Sequence, residues 1–129
     1  MGNLRRVLAL AFCFAFSFRA GAGTLYVDFN SANPLPPFSS WATAATNIQD
    51  ALDASQNGDT VLVTNGVYSH GGVIINPHNL QVTNRVALTN AVTLLSVNGP
   101  AVTTISGGPN QNRCAYVGSN ALLSELGST

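Results

Sequence analysis

The sequence predicts an all-β chain wound as a parallel β-helix (solenoid), with an N-terminal amphipathic capping helix and a winding left incomplete at the C-terminus. Three observations lead there. Helical periodicity occurs once, over about residues 43–55, and does not recur after Asp59. From Asp59 onward, short runs rich in Val, Ile and Leu alternate with Gly, Asn, Pro and Ser. These runs also repeat: VLVTNGV at 61–67 matches VALTNAV at 86–92, and 85–96 matches 113–124, each opening on Arg and closing on Leu-Leu-Ser.

The first segment stands apart from the fold. Arg5 and Arg6 precede an apolar run over residues 7–18, and Ala20, Gly21 and Ala22 then supply the small-x-small pattern of a signal peptidase site. The run is too short for a bilayer span, which takes about 20 residues. A lipid anchor at Cys13 is disfavoured because Phe12 precedes it where a small residue is needed. Three parts are therefore expected: a signal peptide (1–22), a strand, Pro-rich loop and capping helix (23–58), and the first coils of a truncated β-helix (59–129). The chain is expected to be secreted or held at the cell surface.

Past residue 22 the chain has two basic residues, Arg85 and Arg113, against five acidic ones, Asp28, Asp50, Asp53, Asp59 and Glu125. It contains no lysine. That balance excludes an ordinary nucleic-acid binder, which needs a basic surface. It also disfavours membrane association once the leader is gone. Cys114 is the sole cysteine past the leader, so an internal disulfide is impossible. Stability must come from packing and backbone hydrogen bonding.

Residues 25–27 read as a first strand. The prolines at 34, 36 and 37 forbid regular structure in the loop that follows. Ala44, Ala45, Ile48, Ala51 and Leu52 then share one helical face. Thr46 and Gln49 have the spacing of a capping box, Asp50 lies near the positive helix end, and Asn57-Gly58 stops the helix. Strands are expected at 61–63, 73–75, 86–88, 92–97, 102–105, 114–117 and 121–123.

Such strands suit either a hairpin sandwich or a winding chain. Overlapping repeats of about 25 and 28 residues favour winding, with each strand stacked about 4.8 Å from its predecessor. The strands after Asp59 should then be parallel. Val61 should stack over Val86, Leu95 over Leu123, and Asn65 over Asn90 as a turn ladder. The helix is placed to cover the open N-terminal end. The other end is expected to be naked and to favour self-association.

One string carries a resemblance. Tyr26, Val27 and Asp28, a Pro-rich loop, WATAATNIQDAL at 41–52, GDTVLV at 58–63 and NGVY at 65–68 resemble the N-terminal region of secreted bacterial proteins of the pectin-lyase-like superfamily. More narrowly, they resemble its large right-handed β-helix surface proteins. The resemblance implies a right-handed winding and, in enzymatic members, lyase or hydrolase action on acidic polysaccharides.

The residues for that chemistry are sparse. Lyases of the superfamily hold Ca²⁺ on acidic clusters, and hydrolases pair carboxylates about 5–10 Å apart. Here no strand run after Val61 contains Asp or Glu. Asp50 and Asp53 read as a solvated helix face, and Asp28 and Asp59 as turn formers. No catalytic, cofactor-binding or metal site is assigned, and no cofactor is expected. Arg85 and Arg113, possible neighbours on successive coils, and Tyr116 are the candidate glycan contacts. Trp41 and Tyr68 read as anchors of the cap, Cys114 as a buried small hydrophobe, and His70 and His78 as loop residues. Ser96 and Ser124 lack a base. The expected function is a non-catalytic segment of an extracellular β-helix protein, structural, adhesive or glycan-contacting, with extracellular polysaccharide as partner. The alternative is the cap of a lyase or hydrolase whose site lies on coils outside this chain.

Overall fold

The computed structural model describes residues 21–75, 82–109 and 113–129. Residues 1–20 of the expected leader (1–22) and His78 lie outside the described residues.

The architecture is mostly β, with one short helix. In chain order the elements are β1 (Thr24–Val27), α1 (Ile48–Ala54), β2 (Thr60–Val63), β3 (Gly66–Tyr68), β4 (Val73–Ile75), β5 (Val82–Leu88), β6 (Thr93–Ser96), β7 (Thr103–Ile105), β8 (Arg113–Val117), β9 (Leu122–Ser124) and β10 (Gly127–Ser128). They form three sheets: β1-β2-β6-β9, β10-β7-β3 and β4-β5-β8. From β2 onward the chain visits the first, second and third sheets in turn, repeats that order from β6 to β8, and returns to the first and second sheets with β9 and β10.

Pairing is parallel throughout the first two sheets and between β5 and β8. The expectation of wholly parallel strands after Asp59 fails at one place. β4 runs antiparallel to β5, with Val73 opposite Asn84 and Ile75 opposite Val82. The alternative hairpin, β5 folding back on β6, does not form, because β6 lies between β2 and β9.

Register decides which side chains face the core, because a one-residue slip exchanges the two faces of a strand. In the first sheet Leu25, Val61, Leu94 and Leu123 fall in one row, and Val27, Val63 and Ser96 in the next inward row. All of these are buried except Leu123, which is half-buried. The expected ladders are therefore corrected. Val61 stacks on Leu94, not Val86, which belongs to the third sheet beside Ala115. Leu95 pairs with Ser124, and it is Leu94 that sits beside Leu123.

The turn ladder exists with a different partner. Asn98 Nδ2 donates to Asn65 Oδ1 at 2.8 Å, continuing the β2–β6 register past the strand ends. Asn90 instead donates to the Ser55 carbonyl at 3.2 Å.

The helix is shorter than the periodicity suggests, and the capping box is displaced. Asn47, not Thr46, is the N-cap; its Oδ1 accepts from Asp50 N at 2.9 Å. Gln49 is committed elsewhere. Its Oε1 accepts from Ala87 N at 2.8 Å and its Nε2 approaches the Ala87 carbonyl at 3.5 Å. One side-chain amide thus serves β5 as a neighbouring strand would. Ile48, Ala51 and Leu52 bury the other helix face in the core.

The outer edge of β1 is covered by the loop. Tyr26 N donates to Phe38 O, Ala45 N to Tyr26 O, and Asp28 N to Ala45 O, at 2.8, 2.9 and 2.8 Å. Covering an edge in this way denies it to foreign strands. Among the described residues no helix is long and apolar enough to cross a membrane.

The register yields a direct test. Leu94→Ala should cost about 2–5 kcal/mol, the usual range for emptying a buried leucine site. Leu95→Ala, on the opposite face and only half-buried, should cost less than half as much. Chemical denaturation of the two variants would reveal a slipped register as a reversal of that order.

Candidate functional site

The two arginines do not form a cationic strip. Asn84 is the residue paired with Arg113, and Val86 with Ala115, so Arg85 lies in register beside Cys114. Alternation along the strands then puts Arg85 and Arg113 on opposite faces of the third sheet. The apparent repeat at 85 and 113 is one residue short of the actual register, and that one residue flips the side chain.

All three guanidinium nitrogens of Arg85 donate to backbone carbonyls distant in sequence. Its Nε donates to Ser106 O at 2.7 Å and its Nη2 to Gly107 O at 2.9 Å, while Nη1 donates to Gly71 O. Residues 69–72 follow β3 and residues 106–109 follow β7, so one guanidinium ties together the same corner of two successive passes. The planar fork suits this task, because its five donors have fixed directions. Arg113 is exposed and Tyr116 half-buried. Their spacing along β8 places them on opposite faces. Arg85, Arg113 and Tyr116 are therefore not brought together as one surface.

The carboxylates are dispersed among local tasks. Asp28 Oδ1 accepts from Asn30 N at 2.9 Å, as a turn former does. Asp50 receives Asn47 Nδ2 at 2.6 Å, and Asp53 receives Gln49 Nε2 at 2.8 Å. Asp59 is nearly buried, at 9% exposure. Its two oxygens accept from Gly23 N at 2.7 Å and Gln56 N at 2.8 Å. Among the described residues no three His, Cys, Asp or Glu side chains converge as metal ligands. A cavity of about 80 Å³ lies against Asp59, lined by Leu25, Pro37, Ala54 and Gln56. It has room for a few water molecules and not for a sugar ring.

Hydroxyl groups also serve the turns. Ser96 Oγ donates to Thr103 Oγ1 at 2.8 Å and accepts from Gly99 N at 3.0 Å, pinning the corner between β6 and β7. Cys114 is half-buried, with Sγ 3.0 Å from Thr129 O. Sequence reasoning assigned it to the core, but β8 is the outer strand of its sheet and leaves it partly uncovered. His70 is exposed, with Ser69 Oγ 3.4 Å from its Nδ1.

The aromatic residues divide sharply. Tyr68 is buried, its hydroxyl donating to Thr64 O at 3.1 Å, and its ring meets Phe29 edge-on at 6.2 Å. Burial raises its pKa above the ordinary 10.0, outweighing the opposing hydrogen bond from Thr64. Trp41 is 42% exposed and rests edge-on against Tyr26 with ring centroids 4.5 Å apart. It is the more accessible of the two expected anchors and supplies an apolar surface beside the outward row Tyr26, Leu62 and Leu95.

No family model matches the chain, and neither a curated protein nor a solved structure matches it.

Two outcomes follow from this geometry. Arg85→Met should lose about 1.5–3 kcal/mol, the range for hydrogen bonds from a charged donor, whereas Arg113→Met should stay within about 0.5 kcal/mol of the parent. Equal losses in urea denaturation would contradict the clamp. The Tyr68 phenol gives the second. Its pKa is raised in the folded state, so the unfolded chain releases this proton first. Its stabilising contribution is present below pH about 10 and declines as pH rises through the folded pKa. Tyr68→Phe should flatten the alkaline loss of stability measured between about pH 9 and 11.

Proposed function

We propose that this chain is the N-terminal segment of an extracellular right-handed parallel β-helix protein of the pectin-lyase-like type, with a non-catalytic, structural or glycan-contacting role. The observation that carries the reading is the recurring order in which the chain visits its three sheets. That order, with parallel register from pass to pass, is what a solenoid requires. Right-handedness rests on the strong preference of parallel crossovers for that hand. The loop over β1 and the helix side chain on β5 are the devices expected of a capped first coil.

The non-catalytic role is supported by where the functional groups are spent. The carboxylates described above hold turns, the helix terminus and residue 23. Arg85, the candidate base by chemical type, holds three carbonyls of its own chain. The proposed contact with glycans uses Trp41 on Tyr26, a flat apolar face of the kind that stacks on sugar rings, with Arg113 and Tyr116 as separate contacts on β8.

Incubating the protein with pectate, alginate and neutral glucans should release no unsaturated uronates and no reducing ends above background. Affinity electrophoresis through the same polysaccharides should retard the chain, and Trp41→Ala should relieve that retardation. Turnover that disappears with Arg85→Ala would overturn the non-catalytic role. Unretarded migration in every gel would overturn the glycan contact.

A further inference from the structure

Asp59 sits 2.7 Å from the nitrogen of Gly23, the residue that follows the small-x-small motif at 20–22. We propose that removal of the leader turns this contact into a partly buried ion pair, in which Asp59 captures the new N-terminal ammonium of Gly23 and locks the first strand in place. The inference rests on the extracellular reading, since it needs an exported chain.

Gly23 is held on both sides. Its nitrogen donates to Asp59 Oδ1, and its carbonyl accepts from Thr60 N at 2.9 Å. Gly21 and Ala22, just before it, are exposed, and a side chain added at Gly21 would meet nothing within 4 Å. The bond between Ala22 and Gly23 thus lies at the border between exposed chain and chain fixed by β2. Hydrolysis by a signal peptidase adds water across that bond. The Ala22 carbonyl carbon takes hydroxyl and leaves as a carboxylate; the Gly23 nitrogen takes hydrogen, then a proton from solvent.

Position does not need to change for the charge to appear. The nitrogen that donated as an amide donates as an ammonium, and a charge-assisted hydrogen bond is about twice as strong as a neutral one. Gly23 is only half-buried, so the remaining ammonium protons can be hydrated by solvent. Asp59 is the ionisable residue among those lining the cavity beside it, with Leu25, Pro37, Ala54 and Gln56 making up the rest. The carboxylates of α1, Asp50 and Asp53, are engaged by Asn47 and Gln49 instead. Asp59 also holds Gln56 N, so the folded chain orients the carboxylate independently of Gly23.

The chain offers a specific probe. It contains no lysine, so an amine-directed acylating reagent can modify only the N-terminus. The full precursor would be expressed with its leader in an exporting bacterium and the processed protein recovered. Its intact mass should correspond to a start at Gly23; a different start overturns the processing step by itself. Acetylation keeps an N–H donor and removes the charge. It should lower Tm of the processed protein by roughly 4–8 °C, the shift expected for about 1 kcal/mol in a domain of this size. The native protein should acylate about tenfold more slowly than the urea-unfolded chain, because Asp59 holds the amine as the unreactive ammonium. In Asp59→Asn the native rate should approach the unfolded rate, and acetylation should leave Tm unchanged. A chain that begins at Gly23 and whose Tm is indifferent to acetylation overturns the ion pair while leaving export intact.

Discussion

The fold depends on one constraint: each parallel strand obtains its hydrogen-bond partners from a different pass of the chain. Parallel neighbours cannot be joined by a tight turn, so a ladder such as Thr60–Val63 on Thr93–Ser96 closes only after the intervening chain has returned to the same sheet. A strand alone gains nothing from its own sequence neighbours. The corners must therefore deliver each strand at the correct height and register, and a slip of one residue would turn Leu94 outward and Leu95 inward. Several polar side chains among the described residues are placed to prevent that.

The corners show how. Arg85 binds the backbone after β3 and after β7 at once, fixing one corner in two passes. Ser96 and Thr103 hold the corner from the first sheet to the second, and Asn65 and Asn98 continue its register. Asn57 Oδ1 accepts from Ala91 N at 2.9 Å, while Gly58 N donates to Ala91 O at 2.8 Å, which joins the turn before β2 to the turn before β6. Each contact satisfies a backbone group that no strand reaches. Gln49 does the same for Ala87 where β4 leaves β5 unpaired. With Asp59 serving residues 23 and 56, a common rule governs these groups: side chains supply the hydrogen bonds that the ladders omit.

The sequence makes the elements more legible than their neighbours. Helical spacing at Ile48, Ala51 and Leu52 and the runs at 61–63, 73–75, 86–88 and 92–97 identify real structure. Gly66–Tyr68 escapes because Asn-Gly reads as a turn signal, and Gly127–Ser128 because two small residues carry no strand pattern, yet both complete the second sheet. The pairing of Val61 with Val86 fails for a physical reason. Val-x-x-Thr-Asn describes any inward valine followed by a polar corner, so it recurs in different sheets as readily as in one. Thr46 and Gln49 match a capping box, but the pattern cannot reveal that Ala87 competes for the same amide. Arg85 attracts notice by being charged within a strand. Its role depends on the approach of residues 71, 106 and 107, which no local pattern encodes.

This arrangement also sets the physical character of any glycan contact of the proposed kind. Past residue 22 the acidic residues outnumber Arg85 and Arg113, and Arg85 is directed at its own corner. Among the described residues Arg113 is the one exposed guanidinium, and against five carboxylates past residue 22 it provides no field to draw in polyuronates from a distance. Recognition must then be short-range and weakly dependent on salt, resting on shape and on the Trp41 face held against Tyr26. The same economy explains why few charged groups serve so large a share of β structure. In a parallel sheet, charge repeated in register stacks like on like about 4.8 Å apart, whereas asparagine, serine and threonine repeat without repulsion and satisfy one another along the stack.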